Sequence, residues 1–209
     1  MTYEYYSHQS AERALDFRDE RVLKGPSIQR VLNALSPEKD DLVVDTSRGE
    51  GEYTLALSRL FSEAKGGGVV FSCDLDSEIL ETRERAAERT GVSQHLYPVQ
   101  LNVAAPFRLP FRDEQVDCIL SIDRVPWKSD PRPYLQEYAR ILKPCGTLVL
   151  GETDRRLRYE SPEWITPIPK SEMRYPLLQE SGFDIFSSVD ISNYLWVERV
   201  MKPVIVLSA

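Results

Sequence analysis

The first residues whose types and spacing suggest chemistry are Asp45, Ser47, Gly49 and Gly51, in the run DLVVDTSRGEGEYTLALSRL that starts at Asp41. A short apolar run, Leu42 to Asp45, ends in a carboxylate, and a turn with two glycines one residue apart leads directly into a helical pattern. Glycines so placed permit positive φ and a close approach of main chain to a ligand. The helix start adds unpaired N–H groups and a partial positive charge, so a partly anionic group is expected beside it. A second apolar run, Val69 to Cys73, is followed by Asp74, and a carboxylate at that place in a nucleotide-binding sheet can accept hydrogen bonds from ribose hydroxyls. The phosphate motifs are not satisfied: Thr54 stands where GxGxxG needs its last glycine, and no complete Walker sequence occurs. Asp45 would also repel a pyrophosphate. A nucleoside without phosphates, carrying an amino-acid or cationic group, suits these charges best, and an NAD-dependent enzyme is disfavoured.

These residues need a scaffold, and the chain reads as one. Two helical pieces occupy the first 40 residues: one capped by Ser10 and running to about Leu23, and one capped by Ser27 with Ile28, Val31, Leu32 and Leu35 on one face, ended by Pro37. Short apolar runs then alternate with helical patterns. Strands are expected at Leu42 to Asp45, Val69 to Cys73, His95 to Leu101, Val116 to Ser121 and Thr147 to Leu150. Helices are expected at Tyr53 to Phe61, Ser77 to Arg89 and Pro131 to Leu142. A Pro-rich stretch from Arg155 to Pro169 precedes a helix near Ser171 to Ser181 and two extended segments, Phe183 to Val189 and Trp196 to Leu207. The gap between those last two is too short for a crossover helix, so they should pair antiparallel. The predicted fold class is α/β: a doubly wound, mostly parallel seven-stranded sheet with an antiparallel C-terminal hairpin.

The composition suits a soluble globular protein. Its 209 residues are 42% hydrophobic and 28% charged, enough apolar material for a core without disulfide or metal staples. With 26 Lys and Arg against 33 Asp and Glu, the net charge of −7 argues against general affinity for nucleic acid or anionic membrane. Cys73, Cys118 and Cys145 have neither disulfide nor zinc spacing and lie in or beside β-like runs, so they are expected to be free, buried and reduced. His8 and His95 have no metal-ligand partner at suitable spacing. With no leader-like start and no long apolar run, a cytoplasmic location is expected.

The chain resembles the class I S-adenosylmethionine-dependent methyltransferases of the small-molecule type that includes the ubiquinone and menaquinone biosynthesis enzymes. The resemblance covers roughly Asp41 to Glu152. It is carried by VVDTSRGEG, VVFSCDLD, LPFRDEQVDCILS and YLQEYARILKPCGTLVL. It implies a Rossmann-like methyltransferase fold over residues 1–209 as one domain, with a helical cap (1–40), a cofactor-binding core (41–152) and a substrate-side loop with hairpin (153–209). It also implies S-adenosylmethionine as cofactor and a small-molecule acceptor. Asp45, Ser47, Gly49 and Gly51 would hold the methionine end, Asp74 with Leu75 the ribose, and Asn102 with Val103 the adenine, with Ser121 of the fourth strand also at the cofactor. The sequence departs from the family's DxGxGxG at Ser47 and Arg48, and a side chain at the first glycine position would permit a second reading, a methyltransferase-like binding or interaction module without catalysis.

Methyl transfer from a sulfonium chiefly needs nucleophile and methyl group held in line, within roughly 3–3.5 Å, and water excluded. A general base helps when the acceptor is a hydroxyl or an acidic carbon. Asp123, in the SIDRVPWKSDP loop after the fourth strand, is the candidate base, and Trp127 a candidate wall for the acceptor. The structural alternatives are that Asp123 caps a turn beside Arg124 and that Trp127 packs on the crossover helix. His8 with Tyr3, Tyr5 and Tyr6 is either a lid or an untethered terminus, and Arg155, Arg156 and Arg158 either an acidic-acceptor patch or a solvated loop face.

Overall fold

The computed structural model describes residues 23–102, 107–127, 129–153, 171–192 and 195–203. The expected first helix up to Val22, the segment from His8 to the tyrosines, Val103 and the arginines after residue 154 lie outside these residues.

Helix α1 (Pro26–Leu35) buries Ile28, Val31, Leu32 and Leu35, the face its periodicity predicts. Its cap differs from expectation: Gly25 holds the N-cap position, Pro26 the first turn, and Ser27 makes no capping bond. Proline's fixed φ and missing N–H suit that first position, which displaces the cap by two residues. Ser36 ends the helix in the left-handed region at φ 49°, its N–H returning to the Leu32 carbonyl.

Strand β1 (Leu42–Asp45) leads into helix α2 (Glu52–Glu63), β2 (Val69–Asp74) and helix α3 (Ser77–Thr90). A short 3-10 turn, Ser93–His95, precedes β3 (Leu96–Gln100), so His95 ends a turn rather than opening the strand. Buried, it meets the Gly68 carbonyl through Nδ1 at 2.8 Å, a contact that draws it out of the strand. Strand β4 (Val116–Ile122), helix α4 (Arg132–Ile141) and β5 (Leu142–Thr153) follow. Strand β5 is longer than Thr147 to Leu150 because pairing with β4 begins at Leu142 and resumes at Thr147 after a register shift. Helix α5 (Ser171–Glu180), β6 (Asp184–Ser192) and β7 (Leu195–Met201) complete the order.

The sheet runs β3-β2-β1-β4-β5-β7-β6. Parallel pairing joins β3 through β5, and β7 inserts antiparallel between β5 and β6. The antiparallel C-terminal pair is thus present on an otherwise parallel sheet. Alternate residues of the central strands feed two apolar clusters, as a sheet covered on both faces requires. Val43, Val70, Cys118 and Leu120 pack with α1, α2 and α3, whereas Val44, Cys73, Ile119 and Leu148 pack with α4 and α5. Cys73 and Cys118 are buried as expected, but Cys145 is exposed. It lies between the two stretches of β5 that pair with β4, at φ 62° and with its main chain paired to Lys202, so its side chain is left outside the core.

Buried Glu137 of α4 ties down the segment before β4, accepting the Leu109 N–H at 2.7 Å and pairing with Arg108 and Arg140. Arg140 reaches on to Asp113 at 2.7 Å. That contact holds the exposed Asp113 carboxyl below the usual carboxylate range.

Candidate nucleoside-binding site

Strand order reverses between β1 and β4, and the crevice at their carboxyl ends is the natural ligand site of such a sheet. The chain leaves β1 still paired to β4: Thr46 N–H donates to the Leu120 carbonyl and Arg48 N–H to that of Ile122, both at 2.9 Å. The turn then closes through Gly49 at φ 131° and Gly51 at φ 102°, a region that side chains disfavour. Helix α2 begins at the next residue.

Asp45 is 1% exposed and turned inward. One carboxylate oxygen accepts the Ser47 N–H at 2.9 Å and the other the Thr54 hydroxyl at 2.6 Å. These bonds fold the loop back onto the start of α2. The Ser47 hydroxyl accepts the Ile122 N–H at 3.1 Å, and Ser47 lies outside the positive-φ region. Its side chain therefore faces the β4 main chain and is accommodated without backbone strain.

Two arginines to which the sequence reading gave no site role assemble the rest. Arg83 of α3 is 1% exposed and reaches beneath the loop. Its Nη2 donates to the carbonyls of Gly49 at 2.8 Å and Ser47 at 3.2 Å and to Asp74 at 3.2 Å, while Nη1 donates to the Ser72 hydroxyl at 2.9 Å. Arg124, just beyond β4, donates from Nε to the Thr46 carbonyl at 2.7 Å and pairs with Asp74 at 3.3 Å. Asp74 also accepts the N–H groups of Leu75 at 2.7 Å and Asp76 at 3.3 Å. A signal for Arg83 was present: Leu80, Arg83 and Ala87 share the buried face of α3, so one charge sits in an apolar phase. Nothing local marked Arg124.

The glycine loop, Asp74 and Leu75 thus stand together. Asn102 follows Leu101, whose N–H donates to the Asp74 carbonyl at 2.7 Å, and it is exposed. Ser121 is buried, and its hydroxyl meets the Tyr138 phenol at 2.9 Å, opposite Thr46 at 2.8 Å. Burial pushes that phenol up to about 12. Asp123 adopts φ 56°, its N–H donating to the Gly151 carbonyl at 2.8 Å. Trp127 is half-buried against the cluster that includes α4, and its Nε1 donates to Glu152 at 2.9 Å.

Glu52, also passed over, opens α2 with a carboxyl pushed above the usual range, by burial first and then by Asp45, against the opposing pull of Arg83. The neighbouring Tyr53 phenol is raised by burial and by the carboxylates of Glu52, Asp123 and Asp45. Negative charge is therefore concentrated around the start of α2.

The fold and crevice define the class I methyltransferase architecture. Residues 44–150, about half of the chain, match the family described as "Methyltransferase domain", and the chain belongs to that family. The tRNA 5-carboxymethoxyuridine methyltransferase of Escherichia coli (strain K12) is 32% identical over 126 residues, covering 59% of this chain and 44% of that protein. A ubiquinone/menaquinone biosynthesis C-methyltransferase of Pectobacterium carotovorum subsp. carotovorum (strain PC1) is 30% identical over 114 residues, covering 54% of this chain and 43% of that one. The chain thus matches less than half the length of these curated relatives. The crystal structure of a SAM dependent methyltransferase from Aquifex aeolicus superposes with a TM-score of 0.67 at 19% identity, covering 88% of this chain and 93% of that one. Among the described residues, no helix is long and apolar enough to cross a membrane.

Proposed function

We propose that the chain binds S-adenosylmethionine and transfers its methyl group to a small-molecule acceptor. The observation that carries this reading is that one guanidinium, that of Arg83, bonds both the glycine-loop carbonyls and Asp74. The turn after β1 and the acid that ends β2 consequently belong to a single crevice, in a chain of the methyltransferase domain family.

The residues present fit the group. A turn closed by positive-φ glycines leaves main chain accessible to an amino-acid arm, and carboxylates gather where a cationic arm would be stabilised. Ser47 directs its hydroxyl at β4, which leaves that approach open. The bound sulfonium supplies an activated methyl group. Glycine-loop main chain from Ser47 to Gly51 would hold the methionine end, braced by Asp45, while Asp74 and Leu75 would hold the ribose and Asn102 and Val103 the adenine. Asp123 would take the acceptor proton, and Trp127 would wall the acceptor side. Ser121 would act through Tyr138 and Thr46, keeping the β1 turn in place. Residues 1–40 and 153–209 would complete the acceptor side of a single domain in a cytoplasmic protein.

The acidic balance of the chain supports a small acceptor over nucleic acid. The tRNA-modifying relative supplies the competing acceptor for the test. Calorimetry with S-adenosylmethionine and S-adenosylhomocysteine is expected to show micromolar binding of both. Methyl-labelled cofactor offered with metabolite extract and, separately, with unmodified tRNA should label the small-molecule fraction. Labelling of tRNA alone would replace the acceptor. Binding without labelling of either would favour a non-catalytic module, and NAD binding in place of both cofactors would overturn the reading.

A further inference from the structure

Building on the cofactor reading above, we propose that Arg124 is an exchangeable partner of Asp74 that yields the carboxylate to the ribose diol, so that this arginine sets the apparent affinity of the site. The Asp74 carboxylate is crowded as it stands. Of its about four lone-pair positions, three accept the N–H groups of Leu75 and Asp76 and the Nη2 of Arg83, and the Nη2 of Arg124 stands 3.3 Å from Oδ2 as an ion-pair partner. A ribose diol, which needs two positions, meets that guanidinium at Oδ2 unless it withdraws. The two N–H groups belong to the turn itself, whose N-cap, Asp76, opens α3.

Of the two arginines, Arg83 is fixed. It holds the Ser47 and Gly49 carbonyls and the Ser72 hydroxyl, and its stem lies directly under Gly51. Arg124 is held differently. Its strong bond, Nε to the Thr46 carbonyl at 2.7 Å, does not involve Asp74, whereas Nη2 reaches the Cys73 carbonyl at 3.4 Å and Asp74 at 3.3 Å. Turning the guanidinium about the Nε bond breaks only these two longer contacts. Electrostatics favours the same exchange, because a cationic nucleoside entering beside two guanidiniums is repelled until one withdraws. Asp74 remains paired with Arg83 throughout, so the carboxylate is not stranded, and the Thr46 carbonyl still accepts from Arg124.

A site that is competent only when Arg124 has turned shows an apparent dissociation constant raised by the inverse of the competent fraction. Arg124→Gln keeps a donor for the Thr46 carbonyl and removes the charge opposite Asp74. It is expected to bind S-adenosylhomocysteine about tenfold more tightly than the wild type, whereas Arg83→Gln should bind it more weakly. An arginine with a merely structural role would not raise affinity when replaced. Equal or weaker binding by a folded Arg124→Gln protein would overturn the exchange while leaving the cofactor reading intact. Absence of binding by both wild type and variant would overturn the cofactor reading itself. Should Arg124→Gln fail to fold, a crystal structure of the wild type with S-adenosylhomocysteine decides. Arg124 more than 4 Å from Asp74 supports the exchange, and Arg124 still paired beside a ribose bonded to Asp74 overturns it.

Discussion

Gly51 and Arg83 pack so closely that a Cβ on the glycine would lie 2.6 Å from the arginine Cγ. The stem of a buried arginine therefore occupies the space that any side chain at the second loop glycine would need. Gly51→Ala meets this contact and also φ 102°. We expect a loss of about 1–3 kcal/mol in stability and at least about a tenfold loss of S-adenosylhomocysteine affinity. Differential scanning calorimetry and titration calorimetry check the two effects, and an alanine variant that binds normally would show that the loop tolerates displacement.

Ser47 is expected to help the loop. Ser47→Gly leaves the buried Ile122 N–H without its acceptor and should cost about 1–2 kcal/mol. Affinity for S-adenosylhomocysteine should stay within about threefold of wild type. A glycine variant that binds far more tightly would show that the serine obstructs the site.

Glu52 gives the site a pH dependence of definite sign. Its carboxyl is raised by burial, so the folded protein holds this proton to higher pH than the unfolded chain does. Its contribution to stability is fully present below the unfolded value of about 4.3 and is lost as pH rises through the higher folded value. Glu52→Gln lacks this loss. Urea denaturation from pH 4 to 8 should show the stability of the variant relative to the wild type rising with pH, and a relative stability that falls instead would contradict the assignment.

Glu137→Ala tests the tether outside the crevice. It strands the buried Leu109 N–H and takes from Arg140 its buried partner, leaving Asp113. We expect a loss of about 2–4 kcal/mol by denaturant titration, with cofactor affinity little changed.

The elements were legible because their signals are local. Apolar runs bounded by turn residues marked the strands, and the spacing of Ile28, Val31, Leu32 and Leu35 marked the buried face of α1. The short gap between Val189 and Trp196, too short for a crossover helix, dictated antiparallel pairing. Cap positions and the true start of β3 were less legible, since Pro26 and the His95 contact with Gly68 compete with simple propensity.

By itself the sequence determined that a carboxylate ends β1, that two glycines follow it, and that a second carboxylate ends β2, because each is a matter of neighbours along the chain. Tertiary structure decided what those groups face. Ser47 turns toward Ile122 because β1 and β4 lie side by side in a particular register. Asp74 is shared between Arg83 and Arg124 because α3 packs its arginine against the glycine loop while the segment after β4 brings a second one to the same carboxylate. Long flexible cations have no sequence signature for the partner they reach. Only the distance between elements remote along the chain determines which carboxylate they meet, and burial then holds them to it.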